Sequence, residues 1–406
     1  MCMGSLVIAG AGYGGVMAGL QFEKALRPFV IVNKHSYHQF ITWLHEAAGG
    51  RHRVEDYKVE LSEVFRQRDS SVAKDTIVSI DRASRKLIGK KTEYPYDYAI
   101  IALGSAPEFF GIPGLVDYSM QLRSLETARQ IRTHIEQQFA AYREDRDPRR
   151  LRVVVGGAGL TGIEFVGELA DWLPELCNKF GIPNHSFGIQ NVEAAPVILP
   201  ALSTNLQNKA RDILEGKGVR IRTNTKIIKV MQDTVYLESD EIIEARTIVW
   251  TGGVRANPLL KEAGFTCDGR GRAQVNEYLQ SIDDEHVFVI GDCSSFLSTG
   301  RPLPPTAQLA SQMGETVAAN ILAHMNQGVM TPFEPKILGT LASLGRDVGV
   351  GLVGNLQTSG VPASIAKELT KVKYLWQLGG LRMISRNRKS IVRGSNSREK
   401  ELASDD

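Results

Sequence analysis

Leu6-Val-Ile-Ala9 is a short apolar run; it leads into glycines and then into a helical spacing of apolar positions from Val16 to Leu26. Strand, tight turn and helix are predicted. Phe29-Val-Ile-Val-Asn33 is a second buried-type strand, and His35 to Glu60 has no clear period and reads as loop and short helix. Short strands follow, ending at Val78-Ser-Ile-Asp81, and Tyr96 to Gly104 is an apolar run closed by glycine, as a central parallel strand requires. Arg123 to Arg143 is predicted helical, with a charged connector after it. The opening pattern then recurs at Leu151 to Gly162 and continues into a second helix carrying Glu164, Glu168 and Trp172. Gly188 to Glu193, Ile242 to Trp250 and His286 to Ile290 are further strands. From Ile365 apolar residues alternate with cations, and Gly379-Gly380 is a predicted break.

The two strand–turn–helix units carry the same glycine spacing. Gly10, Gly12 and Gly15 form one G-x-G-x-x-G; Gly157, Gly159 and Gly162 form the other. The first glycine allows the turn, the second lets backbone approach a pyrophosphate, and the third lets helix close on strand. One such match is weak evidence, but two in order are specific. About 20 positions after the glycines an acid usually meets the ribose hydroxyls. Asn33 stands there in the first unit, followed by Lys34; they read either as cofactor contacts or as residues that turn the chain. Glu193 ends the corresponding strand of the second unit and is the predicted ribose ligand. Gly252-Gly253 is a backbone-exposing turn for the same nucleotide, and Asp292 places a carboxylate after a strand to accept hydrogen bonds from a polyol.

Composition narrows the class. With 406 residues, 43% of them hydrophobic and 23% charged, two or three globular domains are expected. A net charge of +3 gives no reason to expect nucleic acid. Cys2, Cys177, Cys267 and Cys293 form no CxxC pair, so neither a disulfide framework nor a metal site is predicted. His38, His45 and His52 are irregularly spaced and are expected to be solvated or at a cofactor edge. No apolar stretch reaches the roughly 18 residues of a membrane span, and Met1 to Ser5 leads straight into the first strand, so no signal peptide is expected.

This order of motifs resembles the two-dinucleotide-binding flavoproteins of the glutathione-reductase type. Within them, from about Leu6 to Lys389, the chain is similar to type II NADH:quinone oxidoreductases. Gly156 to Ala170, Val249 to Arg255 and Pro304 to Gln312 carry the resemblance; the last contains the family's AQxAxQ pattern at Ala307, Gln308, Ala310 and Gln312. The resemblance implies an α/β fold of two Rossmann-like domains plus a C-terminal amphipathic membrane-binding segment. The implied boundaries are 1–115 and 256–335 for the FAD domain, 116–255 for the NADH domain, 336–394 for the membrane segment and 395–406 for a disordered tail. It implies FAD on Gly10, Gly12, Tyr13, Gly14, Gly15, Asn33, Lys34, Val78, Gly104, Asp292, Ala307 and Gln308. NADH would meet Gly157, Gly159, Leu160, Thr161, Gly162, Glu164, Glu193, Gly252 and Gly253. Gln308 and Gln312 would face the quinone carbonyls, Lys367 would stabilise a developing quinol anion, and Glu168 would relay a proton.

Ile365 to Arg398 holds nine Lys or Arg and one acid, Glu368. Such a segment can lie in a membrane interface or dock on its own domain. The implied protein is a homodimeric peripheral enzyme at the cytoplasmic face of the cell membrane, reducing menaquinone or ubiquinone. Two rivals are a sulfide:quinone oxidoreductase, which needs cysteines beside the flavin, and a flavin sensor that binds NADH without turnover.

Overall fold

The computed structural model describes residues 5–67, 70–298 and 300–391. The expected tail, 395–406, lies outside them. Two compact units divide the chain. The first comprises residues 1–39, 58–108 and 254–337; the second comprises 40–57, 109–253 and the chain from Leu338 onward.

In the first unit a six-stranded sheet runs in the order 280–281, 284–289, 98–101, 6–9, 30–33, 71–74, parallel except at the 280–281 edge. Leu6–Ala9 is buried at every position, which is why it reads as an unbroken apolar run. One face of this sheet packs Val7, Ala9, Ala99 and Ile101 against Ile80 and Leu87 of a three-stranded antiparallel sheet formed by Ile77–Asp81, Lys86–Gly89 and Glu93–Pro95. The glycine-led helix is Tyr13–Lys24. It starts one turn before Val16 and ends before Leu26, whose positive φ of 53° and exposure do not continue a helix. It lies against helix Ala307–Met325 so closely that a Cβ on Gly314 would come within 2.1 Å of the Gly14 carbonyl oxygen.

The second unit repeats the plan with a five-stranded parallel sheet, order 120–121, 247–250, 152–156, 188–192, 219–222. Helix Leu125–Asp145 begins at a capping box in which Ser124 and Thr127 satisfy each other's backbone amides. The run expected as one strand from Ile242 to Trp250 is two: Ile242–Glu244 pairs antiparallel in a small sheet, and Thr247–Trp250 joins the parallel one. Buried Ala245 turns the chain between them. A last antiparallel sheet, Gly339–Ser343, Gly349–Val353 and Leu356–Gly360, leads into helix Val361–Arg386. That helix breaks at Gly379-Gly380 as predicted; Gly380 takes a φ of 64°. It packs Tyr374, Leu375, Leu378 and Met383 inward, so the segment from Leu338 is part of this unit.

Candidate active site

In the first unit the glycines do what their spacing predicts. Gly10 has a φ of 101°, and an added Cβ would lie 2.4 Å from the Ala102 oxygen. A Cβ on Gly15 would lie 2.0 Å from the Gly10 oxygen, whereas one on Gly12 would meet nothing within 4 Å. Gly12 caps the helix with no side-chain hydrogen bond, and the N-terminus of such a helix is a donor set suited to a pyrophosphate. Asn33 braces this turn: its Oδ1 accepts from the Ala11 amide at 3.1 Å, and its Nδ2 donates to the carbonyls of His35 (2.8 Å) and Tyr37 (3.3 Å). Lys34 and Val78 are exposed and Gly104 has a φ of 71°.

Asp292 follows strand Asp284–Val289 and receives the Ser105 hydroxyl at 2.7 Å. It lines a cleft with Gly291, Arg272, Thr306, Leu309 and Ala310. Thr306 caps helix Ala307–Met325 by accepting from the Leu309 amide, so Ala307 and Gln308 open that helix, both half-buried. Gln312, expected to face a quinone carbonyl, bonds to Lys336: its Nε2 donates to the Lys336 oxygen at 2.8 Å and its Oε1 accepts from the Lys336 amide at 2.9 Å. It ties the 336 segment to the helix.

In the second unit Gly157 has a φ of 103°, and a Cβ there would lie 2.6 Å from the Gly252 Cα, so the two expected turns do meet. Gly159 caps its helix without a side-chain bond; Thr161 is exposed and Leu160 half-buried at the same end. Glu193 stands where Asn33 stands in the first unit. Its carboxylate accepts from the amides of Ala158 (2.6 Å) and Ala195 (2.8 Å).

Glu164 and Glu168 share a helix face, as i and i+4 require, and both are buried. Glu164 accepts from the Ser343 amide at 3.0 Å and from the Lys367 ammonium, with the His45 ring 3.4 Å away. Its carboxylate is thus held by its own unit, and Lys367 is its partner. Burial pushes the Glu164 carboxyl up, but His45, Lys367 and the Ser343 amide outweigh this and hold it below the usual range. Glu168 is completely buried and takes the Arg51 guanidinium in a two-pronged contact, Nε at 3.0 Å and the NH2 group on the other oxygen. Burial nevertheless wins there, and the carboxyl is raised.

Glu46, Arg51, Tyr57 and Lys371 of this cluster were not singled out from the sequence, and Glu368 only as the one acid of the C-terminal segment. Arg51 lies 3.7 Å from Glu46 and 3.4 Å from Glu368; Lys371, 1% exposed, reaches Glu46 at 2.6 Å and Glu368 at 3.0 Å. The Tyr57 hydroxyl donates to Glu46 at 3.1 Å. One signal was present. Lys371, Tyr374, Leu375 and Leu378 are spaced i, i+3, i+4, i+7, which puts a lysine on a buried stripe. The histidines are not solvated either: His38 and His45 are buried, and burial lowers His38, His45 and His52 to about 4, against the raising influence of the Ala11 carbonyl at His38 and of neighbouring carboxylates at the other two. His38 shares its Nδ1 with the Ala11 oxygen at 2.8 Å and meets the Tyr13 ring edge-on, supporting the first glycine turn from behind.

Comparison with known proteins agrees with this architecture. A pyridine nucleotide-disulphide oxidoreductase family model matches residues 4–314. Type II NADH:quinone oxidoreductases of Staphylococcus aureus and Staphylococcus haemolyticus are 37% identical over 387 residues, 93% of this chain and 96% of theirs. Among solved structures, NDH2 from Plasmodium falciparum in complex with NADH superposes with a TM-score of 0.86 at 17% identity, over 96% of this chain and 98% of that one. The sulfide:quinone oxidoreductase of Aquifex aeolicus gives 0.74, also at 17% identity, over 98% and 94%, a likeness of fold. By sequence, and in keeping with its paired glycine turns, the chain belongs to the type II NADH:quinone oxidoreductase family.

Proposed function

We propose that this protein oxidises NADH and reduces a membrane quinone by two electrons without pumping protons, with FAD as its resident cofactor. The observation that carries the reading is the duplicated glycine cradle, one in each unit, each leading into a helix capped by a glycine, Gly12 or Gly159, that has no side-chain hydrogen bond and open space where a Cβ would stand. FAD, when bound, supplies the hydride-accepting and electron-donating chemistry that side chains lack. The chain's own residues bind and orient. Gly10, Gly12 and Gly15 would cradle the FAD pyrophosphate, Asp292 would accept from its polyol, and Ala307 and Gln308 would border its ring. Gly157, Gly159, Gly162 and Glu193 would take NADH, Glu193 disfavouring a 2′-phosphate by charge. Glu168 would hold and deliver a proton.

The quinone would be menaquinone or ubiquinone, met at the cytoplasmic face of the cell membrane by a homodimer. An outer stripe on the C-terminal helix supports docking at that surface. Ile365, Leu369, Val372 and Trp376 follow each other at i, i+4, i+7 and i+11, and Ile365, Leu369 and Trp376 are about half exposed or more. Lys373, Arg382 and Arg386 lie among and after them, the arrangement of an interfacial helix. No helix among the described residues is long and apolar enough to cross a membrane.

Sulfide oxidation is the weaker reading, because the thiols among the described residues are poor nucleophiles. Burial pushes Cys293 up to about 12, aided by Asp292, and its Sγ donates to the Gly104 oxygen; burial also raises Cys177 and Cys267. Anaerobic reduction of the purified protein by NADH, followed by a short-chain quinone, tests the proposal. Bleaching and recovery of the flavin absorbance are expected. Bleaching without recovery would favour a sensor, and the absence of any flavin spectrum would overturn the reading of the first cradle.

A further inference from the structure

Three carboxylates and two cations are buried together in the second unit. Glu168, Glu46, Arg51 and Lys371 are 0%, 1%, 5% and 1% exposed at the side chain, and Glu368 is 15% exposed. With every carboxylate ionised the cluster would carry one uncompensated negative charge in the interior, and a buried carboxyl in that position takes up a proton instead. Among the described residues the neighbouring cations are committed elsewhere, Arg346 to Glu175. Lys367 is committed to Glu164, and Asp171 to Lys217 at 2.6 Å. His45 and His52 are neutral above about pH 4, and Tyr57, donating to Glu46, is held well above its usual value by burial and the Glu46 charge. Glu46 itself is ionised, because Lys371 and Arg51 outweigh the effect of its burial. That leaves Glu168 and Glu368, both in contact with Arg51.

We propose that Glu168 and Glu368 share one proton, balanced against Glu46, Arg51 and Lys371, and that Glu368, the cluster's most exposed member, is where this proton exchanges with solvent. Its use rests on the reading of the protein as a quinone reductase. NADH surrenders a hydride, two electrons and one proton; a quinone becomes quinol by taking two electrons and two protons. One proton per turnover therefore comes from the medium. The cluster holds it beforehand, gives it up from Glu168 and refills through Glu368, titrating as one unit rather than as separate residues.

Infrared titration of the full-length protein, with its flavin and without substrates, reads the stored proton as a carboxylic C=O band that shifts in deuterated water. The band is expected at pH 7, where solvated glutamates are ionised. It should vanish in Glu368→Gln and equally in Glu46→Gln, since removing either charge leaves two carboxylates matched by two cations. Circular dichroism checks that both variants fold, and either one alone decides the question. No such band in the parent, or a band surviving in a folded variant, would overturn the proposal. In stopped flow with a pH indicator, proton uptake on quinone addition should slow at least tenfold in Glu368→Gln and recover in Glu368→Asp; an unchanged rate would remove Glu368 as the exchange point. If the band obeys these rules but quinone never reoxidises the flavin, the proton store stands and the reductase reading falls.

Discussion

Lys371→Met tests how much the buried ion cluster contributes to the second unit. The methionine keeps most of the aliphatic stem of a side chain that is 1% exposed, but removes an ammonium lying 2.6 Å from Glu46 and 3.0 Å from Glu368. Removing one partner of a buried pair costs roughly 3–5 kcal/mol, because the remaining charge is left without compensation. Arg51 stays 3.7 Å from Glu46 and 3.4 Å from Glu368, so the loss should fall near the lower end, about 3 kcal/mol. The pH dependence follows from Glu46. Its folded carboxyl is depressed, so its contribution is complete above the unfolded value of about 4.3 and is lost as pH falls through the folded one. The deficit of Lys371→Met should therefore be largest near pH 7 and shrink in acid. Adding Glu46→Gln removes the stranded charge and should restore part of the stability, a coupling that a double-mutant cycle measures. All four tryptophans lie in the second unit, so urea unfolding followed by tryptophan fluorescence reports on this unit. A loss under about 1 kcal/mol at pH 7, or a double variant no more stable than the single, would show that the cluster does not work as an ion pair network.

Gly12→Val should purify folded but colourless, since its side chain enters open space where the pyrophosphate would lie; Gly15→Val should fail to fold, because its Cβ would sit 2.0 Å from a carbonyl oxygen. Absorbance and circular dichroism separate the two. Glu193→Gln should narrow the preference for NADH over NADPH, read as a ratio of kcat/KM values, and an unchanged ratio would take Glu193 out of the ribose site. Leu369→Ser with Trp376→Ser should weaken binding to anionic liposomes while leaving the fold intact. Deleting the helix is a poorer test, because its inner face belongs to the core. Between about pH 6.5 and 4 the protein should lose stability as acid is added, because His38, His45 and His52 are lowered by burial and the unfolded chain binds their protons first; His45→Gln should flatten that slope in an unfolding titration.

The parts of the fold legible in the sequence were those fixed by local rules. Leu6–Ala9 and Val153–Gly156 are buried, and although Gly10 and Gly157 also pack on distant Ala102 and Gly252, the φ near 100° at each and the close approach of Gly15 to Gly10 and of Gly162 to Gly157 lie inside the motif. Spacing alone encodes such features. The run from Ile242 to Trp250 misled because apolar content does not report a change of sheet; Ala245 is as buried as Ile243 before it and Thr247 to Val249 after it. Asn33 and Glu193 show a subtler limit. Spacing offers Asn33 as a cofactor contact or a turn residue and Glu193 as the ribose ligand, but it does not show that each carries an oxygen that accepts from the alanine amide inside its glycine turn, a structural duty that position imposes on either residue type.

The ion cluster was illegible for a different reason. Its members come from residues 46–51, 164–168 and 367–371, three stretches whose meeting is decided by tertiary packing, and no periodicity links them. Two glycines make the meeting physically possible. A Cβ on Gly49 would lie 2.4 Å from the Glu168 Cβ, and one on Gly167 would lie 2.5 Å from the amide nitrogen of Gly345, whose oxygen accepts from Arg51, so the first two stretches and the Gly345 turn approach only because these positions carry no side chain. The helix pairs Glu164 and Glu168 at i, i+4, and the C-terminal helix pairs Lys367 and Lys371 at the same interval. The first carboxylate takes the first lysine directly; the second takes Arg51 instead, which frees Lys371 for Glu46 and Glu368. That exchange leaves the cluster one cation short. Gly49→Ala, which adds a single methyl at the crossing, should therefore lose the stored proton together with the packing, as loss of the carboxylic band and a lower urea midpoint; a variant that kept the band would show that the close approach is not what holds the charges together.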